Sequence, residues 1–215
     1  MIASPLKRTS PAAVVIALTL VGAEQQLPYD RPPLSKQVLA GDRDADFTAL
    51  RKPDRYDELA IDLRLGTTAT AVDPATRELT IEGGEALPYD GLIIATGASP
   101  RSLPNTPDLA GIHTLRTLDD SLVLREAFDA KPRVAVVGAG FIGAEVAAIA
   151  RGRGLDVTVL EALPVPLERA AGAEMGMVAA SLHTDNGVDL RLGVGVEGFA
   201  GTTRVEGVRL PAGRP

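Results

Sequence analysis

The second half of the chain alternates between short apolar runs and segments with helical spacing. Residues 134–137 are continuously apolar, and residues 157–160 are apolar except for Thr158; such runs are typical of buried parallel strands. Between them, Ile142, Val146 and Ile149 recur at positions i, i+4 and i+7 and therefore predict one face of a helix. Further helices are predicted over residues 119–128 and 171–182, and further strands over 188–192 and 205–210. This order predicts βαβ units and hence an α/β fold with a parallel sheet.

The first half of the chain is predicted to be mostly sheet and loop. Residues 67–72 and 78–81 predict a meander that turns at Gly83 and Gly84. Residues 92–94 predict a short buried strand that ends at Gly97. The segment that follows is stiffened by three prolines, Pro100, Pro104 and Pro107. We place a domain boundary in this segment, between residues 1–108 and 109–215.

The apolar run over residues 12–21 has two interpretations. It follows Lys7 and Arg8 and ends at two small residues, Gly22 and Ala23, as a signal peptide would. The run is too short to span a bilayer, and its Val, Ile, Thr and Leu residues fit a buried parallel strand as well. Both interpretations stay open, and we favour the strand.

Composition and charge exclude several classes of function. The 215 residues carry a net charge of −6, and no stretch concentrates Lys and Arg, so we expect neither nucleic acid nor a membrane surface as a partner. The chain has no cysteine and only two histidines, His113 and His183. We therefore expect no disulfide, no cysteine nucleophile and no metal site, and redox chemistry would need a cofactor. Nothing demands an oxidising compartment, and we expect a cytoplasmic protein.

A glycine-rich turn lies between a predicted strand and a predicted helix. Gly138, Gly140 and Gly143 form a G-x-G-x-x-G pattern directly after the strand. The first glycine allows a tight turn, the second lets the backbone approach a pyrophosphate, and the third lets the helix pack close to the strand. The N–H groups at the start of the helix would then face the phosphates. This context predicts a dinucleotide site.

An acidic residue predicts which dinucleotide binds. Glu161 ends the next predicted strand, eighteen positions after Gly143, where a carboxylate can accept hydrogen bonds from both ribose hydroxyls. It would repel a ribose phosphate, and Ala162 and Leu163 supply no guanidinium group for one. We therefore expect NAD(H) rather than NADP(H).

A second motif carries a family resemblance. Residues 27–36, with the sequence LPYDRPPLSK, resemble a motif of the FAD-dependent ferredoxin, rubredoxin and putidaredoxin reductases. Shorter matches are residues 20–24, 89–90, 95–97 and 115–120, and the resemblance runs from about residue 16 to residue 207. It implies an α/β fold of the glutathione-reductase type with two dinucleotide-binding domains, in which a Rossmann-like NAD-binding domain is inserted into an FAD-binding domain.

The resemblance also implies an activity and roles for individual residues. NADH would pass a hydride to FAD, and single electrons would go on to a small iron–sulfur ferredoxin or to a rubredoxin. Lys36 would lie beside the flavin ring, paired with Glu145 on the nicotinamide side, and both are candidate catalytic residues. The implied cofactor contacts are Glu24, Arg31, Lys36, Ala95, Thr96, Gly97, Arg116, Gly138, Gly140, Phe141, Ile142, Gly143 and Glu161. The lack of cysteine favours electron transfer over disulfide or peroxide reduction.

The sequence departs from this family at its ends. The family begins with its own glycine-rich turn for the FAD pyrophosphate, whereas the first glycine here is Gly22. We therefore expect an incomplete FAD-binding domain, a nearly colourless purified chain and negligible reductase activity. The main hypothesis is an NADH-dependent flavoprotein reductase, with a homodimer of the full-length form left open. The alternative is a non-catalytic fragment that binds NAD only. A single-cofactor dehydrogenase is disfavoured, because no catalytic base accompanies the glycine turn.

Overall fold

The chain forms two compact units. The computed structural model describes residues 2–4, 6–8 and 14–211, with side chains from residue 17 onward. Unit one comprises Met1–Asp30 and Thr48–Ala98, and unit two comprises Arg31–Phe47 and Ser99–Pro215. The segment Arg31–Phe47, which contains the end of the LPYDRPPLSK motif, therefore belongs to the same unit as the second half of the chain. Whether these units coincide with functional domains bounded at residue 108 stays a prediction.

Unit one is built from strands and short helices. Its elements are β1 Ile2–Ser4, β2 Leu6–Arg8, β3 Val14–Ile16, β4 Leu18–Gly22, α2 Pro53–Glu58, β5 Ile61–Leu65, β6 Ala69–Asp73, β7 Glu78–Ile81, β8 Ala86–Pro88 and β9 Gly91–Ile93. A mixed sheet has the order β5-β4-β1-β9, in which β4 and β5 are parallel. The predicted meander is confirmed as the antiparallel sheet β6-β7-β8, whose buried residues Leu79 and Ile81 share a core cluster with Val21 of β4.

Two expectations for unit one need correction. The predicted buried strand at residues 92–94 does form as β9, but Ile93 is 60% exposed and Ile94 is 65% exposed. The reason is that β9 is an edge strand of its sheet, paired only with β1 among the described residues. The apolar run over residues 12–21 is not one strand, because β3 and β4 are separated at Ala17 and pair in different sheets. Residues 12 and 13 lie outside the described part of the chain.

Unit two contains the βαβ pattern. Its elements are the 3-10 helix Pro32–Ser35, α1 Gln37–Ala40, α3 Leu118–Asp129, β10 Val134–Val137, α4 Phe141–Gly152, β11 Val157–Glu161, α5 Glu168–Asp185, β12 Asp189–Leu192, β13 Gly198–Gly201 and β14 Val205–Arg209; a 3-10 turn also spans Ala45–Thr48. The predicted parallel sheet is confirmed, with the order β10-β11-β12. The predicted helices are confirmed, and they extend one residue further at each end of α3 and three residues further at each end of α5.

The core of unit two lies between this sheet and its helices. Val136, Val157 and Val159 face buried residues of α3 and α4, such as Phe128 and Ala147. Small residues on α4 let the helix approach the sheet closely, because they leave little side-chain volume between the two backbones. The core therefore fixes α4 against β10, and the loop that joins these two elements is the glycine-rich turn.

Local chemistry explains where the flanking helices begin. Thr117 precedes α3, and its hydroxyl oxygen accepts a hydrogen bond from the Asp120 N–H at 3.1 Å. The Asp120 carboxylate accepts the Thr117 N–H at 2.9 Å in return, which completes a capping box. Helix α5 is kinked at Gly172, which has φ of 79° and lies outside helical geometry. Among the described residues, no helix has both the length and the apolar character that crossing a bilayer requires.

The surroundings of both histidines favour the neutral imidazole. His183 is buried in the last turn of α5, and desolvation lowers its pKa. The pKa of His113 is lowered mainly by desolvation and to a smaller extent by the positive charge of Arg204, while the negative charge of Asp120 acts to raise it. Both shifts favour the neutral imidazole, which is the form assumed in the formal net charge of −6.

Candidate functional site

The glycine turn has the conformation that its sequence predicts. Strand β10 ends at Val137, and α4 begins at Phe141. Gly138 has φ of +95°, a left-handed value that favours glycine. Its N–H donates to the Leu160 carbonyl oxygen at 2.8 Å, which attaches the turn to β11. The turn is thus held at the carboxyl end of two parallel strands, which is where open α/β sheets bind ligands.

Gly140 and Gly143 serve the turn in different ways. A Cβ atom added at Gly143 would lie 2.0 Å from the Gly138 carbonyl oxygen, so a side chain there has no room. A Cβ atom added at Gly140 would meet no described atom within 4 Å. Gly143 therefore allows close packing of α4 on the turn, whereas Gly140 borders open space. An open approach to the backbone at the second glycine is what a pyrophosphate requires.

Glu161 lies directly beside the turn. It is the last residue of β11, and its Oε2 accepts the Ala139 N–H at 2.6 Å. Its Oε1 accepts the Leu163 N–H at 2.8 Å. These two contacts hold the carboxylate at the end of the strand next to the glycines, so the residues present fit an adenosine ribose with free hydroxyls. Its contact with a bound ribose stays a prediction.

Two apolar side chains at the start of α4 are exposed. Phe141 and Ile142 are both about half accessible. Of the three residues predicted to share one helix face, Val146 and Ile149 pack into the core, whereas Ile142 is exposed. Ile142 lies in the first turn of α4, directly after the glycine turn. Both side chains are available to a ligand at the turn, which is where they are predicted to act.

Lys36 and Glu145 form an ion pair. The Lys36 Nζ atom lies 2.8 Å from Glu145 Oε1, and it also donates to the Pro32 carbonyl oxygen at 3.3 Å. Lys36 immediately precedes α1, while Glu145 is in the second turn of α4. The pairing that the family resemblance implies is therefore present in unit two. The catalytic role of the two residues stays a prediction.

Several contacts hold the Lys36 segment in place, and sequence reasoning missed them. The Ser35 hydroxyl donates to Glu145 Oε2. The buried Ser121 hydroxyl of α3 donates to the Leu34 carbonyl oxygen at 2.6 Å. Arg153 reaches the Leu39 carbonyl oxygen at 3.4 Å. Ser35 lies within the LPYDRPPLSK motif, and this position in the motif is the one sequence feature that could have pointed to it. No motif includes Ser121 or Arg153.

The other predicted cofactor contacts are divided between the two units. In unit two, Arg31 Nη1 donates to the Arg116 carbonyl oxygen at 2.7 Å. In unit one, Glu24 accepts a hydrogen bond from the Tyr29 hydroxyl. Three more residues follow β9 on exposed backbone: Ala95, Thr96 and Gly97. Their predicted contacts with FAD stay predictions.

Comparison with known families assigns the chain. The profile of a family described as pyridine nucleotide-disulphide oxidoreductase matches residues 8–214, which is nearly the whole chain. The chain belongs to this family. Its members that resemble the chain are FAD- and NAD-dependent oxidoreductases of the ferredoxin reductase type, so the resemblance read from the LPYDRPPLSK motif is confirmed.

Curated relatives in the family are ferredoxin reductases. The chain is 41% identical over 198 residues to rhodocoxin reductase from Rhodococcus erythropolis, covering 91% of this chain and 46% of the relative. It is 38% identical over 208 residues to putidaredoxin reductase from Pseudomonas putida, covering 91% of this chain and 49% of the relative. The chain thus spans about half the length of the curated relatives it matches.

Solved structures confirm the fold. A ferredoxin reductase from Rhodopseudomonas palustris matches with a TM-score of 0.86 and 37% identity, over 91% of this chain and 49% of that one. Putidaredoxin reductase in its covalent complex with putidaredoxin matches with a TM-score of 0.84 and 37% identity, again over 91% and 49%. The expected α/β architecture, part of a two-dinucleotide-binding fold, is therefore confirmed.

Proposed function

We propose that this chain binds NADH at the glycine turn of residues 138–143 and acts as the NADH-binding part of a flavoprotein reductase. The observation that carries the proposal is the turn itself. Gly140 borders open space, and the Glu161 carboxylate accepts a hydrogen bond from the Ala139 N–H. A pyrophosphate would accept hydrogen bonds from the N–H groups at the start of α4, and the positive end of the helix dipole would favour its charge.

The electron path of the proposal continues beyond the nucleotide. FAD, when bound, supplies the chemistry, because it accepts the hydride of NADH and gives up electrons one at a time. The Lys36–Glu145 pair would lie between the two cofactors, with Lys36 toward the flavin ring. With FAD bound, its ammonium group would place positive charge beside the ring as reduction makes the ring negative, and the ion pair with Glu145 would hold that ammonium group in position. The contacts of Glu24, Arg31, Thr96 and Arg116 with FAD belong to the same proposal.

The electron acceptor is proposed from the relatives. Putidaredoxin reductase is known in a covalent complex with putidaredoxin, and other relatives are named as ferredoxin–NAD(+) reductases. We propose a small iron–sulfur ferredoxin, or a rubredoxin, as the acceptor for this protein. A cytoplasmic location and a homodimer of a full-length form are further parts of the proposal.

The absorbance spectrum of the purified 215-residue chain, recorded with added FAD and after gel filtration, separates the two hypotheses. Flavin that stays with the chain and is bleached by NADH without oxygen would support the reductase for this polypeptide. We expect instead a nearly colourless chain that still binds NADH. That result would favour the alternative, a non-catalytic dinucleotide-binding piece of such a reductase. Failure to bind NADH at all would contradict both hypotheses.

Exchange of Glu161 for arginine is expected to move nucleotide preference toward NADPH. Glu161→Arg removes a carboxylate that would repel a 2′-phosphate and adds a guanidinium group that can pair with one. A single charge-assisted contact of this kind changes relative affinity by about tenfold to a hundredfold. The Kd ratio for NADH and NADPH, measured by calorimetry on both chains, checks the expectation.

The same substitution has an expected cost. Glu161 accepts backbone N–H groups from Ala139 and Leu163, and arginine cannot accept them. Glu161→Gln serves as the matched control, because it keeps a carbonyl acceptor and adds no positive charge. An NADH:NADPH ratio that stays equal in all three chains would remove Glu161 from the ribose site.

A further inference from the structure

We propose that Ser35 is a positioning residue that holds the Glu145 carboxylate in the orientation that pairs with Lys36. The use of this pair in hydride transfer rests on the proposed function, but the contacts themselves do not. Ser35 and Lys36 are consecutive residues, and each binds a different oxygen of one carboxylate. Lys36 Nζ lies 2.8 Å from Oε1, and the Ser35 hydroxyl donates to Oε2.

The ion pair needs a second contact to be well defined. The Lys36 side chain is 44% exposed, and that of Glu145 is 28% exposed. Pairs at this exposure contribute about 0–1 kcal/mol, because solvent screens them and two long side chains must be ordered. A lone Lys–Glu contact would therefore sample several rotamers.

Ser35 supplies the missing constraint at little entropic cost. It is only 2% exposed, and its hydroxyl sits one bond from Cβ, so few rotamers are lost on bonding. A hydrogen bond to a charged acceptor is also stronger than one between neutral groups. With Oε2 bound to Ser35, rotation of the carboxylate is restricted, and Oε1 is left to face the ammonium group.

Ser35 is itself held on a rigid element. It ends the 3-10 helix Pro32–Ser35, in which two prolines restrict the backbone. The preceding residue, Leu34, is buried, and its carbonyl oxygen accepts the Ser121 hydroxyl of α3 at 2.6 Å. The Lys36 N–H donates to the Pro33 carbonyl oxygen at 3.1 Å. The hydroxyl that orients Glu145 is thus anchored by contacts that do not involve Glu145.

Ser121 provides a matched control for this role. Both serines are buried, and both fix the same segment through their hydroxyl groups. Of these two serines, only Ser35 is hydrogen-bonded to Glu145. Loss of either hydroxyl should lower stability, but only loss of the Ser35 hydroxyl should loosen the ion pair.

Competitive acetylation of the 215-residue chain, read by mass spectrometry at the Lys36 amine, tests the proposal. An ammonium group in an ion pair reacts more slowly than a free one. Glu145→Gln defines the rate without the pair. We expect Ser35→Ala to raise the Lys36 rate about two- to fivefold toward that value, the size that a partly exposed ion pair supports. Ser121→Ala should keep the rate of the unchanged chain.

Two results would overturn the proposal. One is an unchanged Lys36 rate in Ser35→Ala, and the other is an equal rise in Ser35→Ala and Ser121→Ala, which would show general loosening of the segment. Circular dichroism checks that each variant folds. If the alanine variant does not fold, Ser35→Cys keeps the volume and replaces a strong donor by a weak one, with the same expected rise. No nucleotide or flavin is present, so failure here leaves the NADH proposal to its own test.

Discussion

Gly140→Val is expected to weaken NADH binding by about tenfold or more and to leave the chain folded. Gly140 has φ of −72° and ψ of −178°, extended values that valine adopts without strain. A Cβ atom added there meets no described atom within 4 Å, so the free chain has room for it. The same space is where a pyrophosphate must approach the backbone. Overlap of this kind costs about 1–3 kcal/mol or more, roughly a tenfold to hundredfold rise in Kd.

The control for this variant lies on the same helix. Gly152 is the last residue of α4, and an added Cβ atom there also meets no described atom within 4 Å. Gly152→Val makes the same substitution at the far end of the helix from the turn, and NADH affinity should be unchanged. Calorimetric titration of the three chains, with thermal unfolding as a check on folding, decides the matter. Equal NADH affinity for Gly140→Val and the unchanged chain would exclude the turn as the binding site.

Local patterns predicted much of unit two. Continuous apolar runs and i, i+4, i+7 spacing depend on residues that are close in sequence, so the strands and helices around the turn could be placed within a few residues. The roles of the three glycines also follow from local geometry, because a left-handed φ at Gly138 and a close contact at Gly143 arise within six residues. The Lys36–Glu145 pair was reached through the family motif and not through spacing.

Properties that depend on distant residues could not be predicted. Ser35 and Glu145 are 110 positions apart, and Ser121 and Leu34 are 87 apart, so no periodicity connects them. The prediction of burial at Ile93 was wrong for the same reason. The apolar run predicts a covered strand, but the strand order of the sheet places β9 at its edge. Glu161 was predicted for its ligand, whereas its contacts with two backbone N–H groups of the folded chain need the tertiary structure.

Gly143→Val is expected to destabilise unit two itself, in contrast to the change at Gly140. The added Cβ atom would lie 2.0 Å from the Gly138 carbonyl oxygen and 3.3 Å from Val136 Cγ1. The backbone oxygen cannot rotate away as a side chain could, so α4 must move off β10. That movement opens the core in which Val136 packs with Ala147 of α4. Overpacking a buried backbone contact costs about 3 kcal/mol, the upper end of the usual range.

Urea unfolding of Gly143→Val, Gly140→Val and Gly152→Val measures this difference. The expected order puts Gly143→Val well below the other two in free energy of unfolding, and its NADH binding is lost together with its stability. Gly140→Val should weaken NADH binding alone. This separation of effects is the sharpest consequence of the turn geometry, because two glycines three positions apart limit different things: one the approach of the ligand, the other the approach of the helix. A Gly143→Val chain as stable as Gly152→Val would mean that α4 does not depend on close contact with the turn.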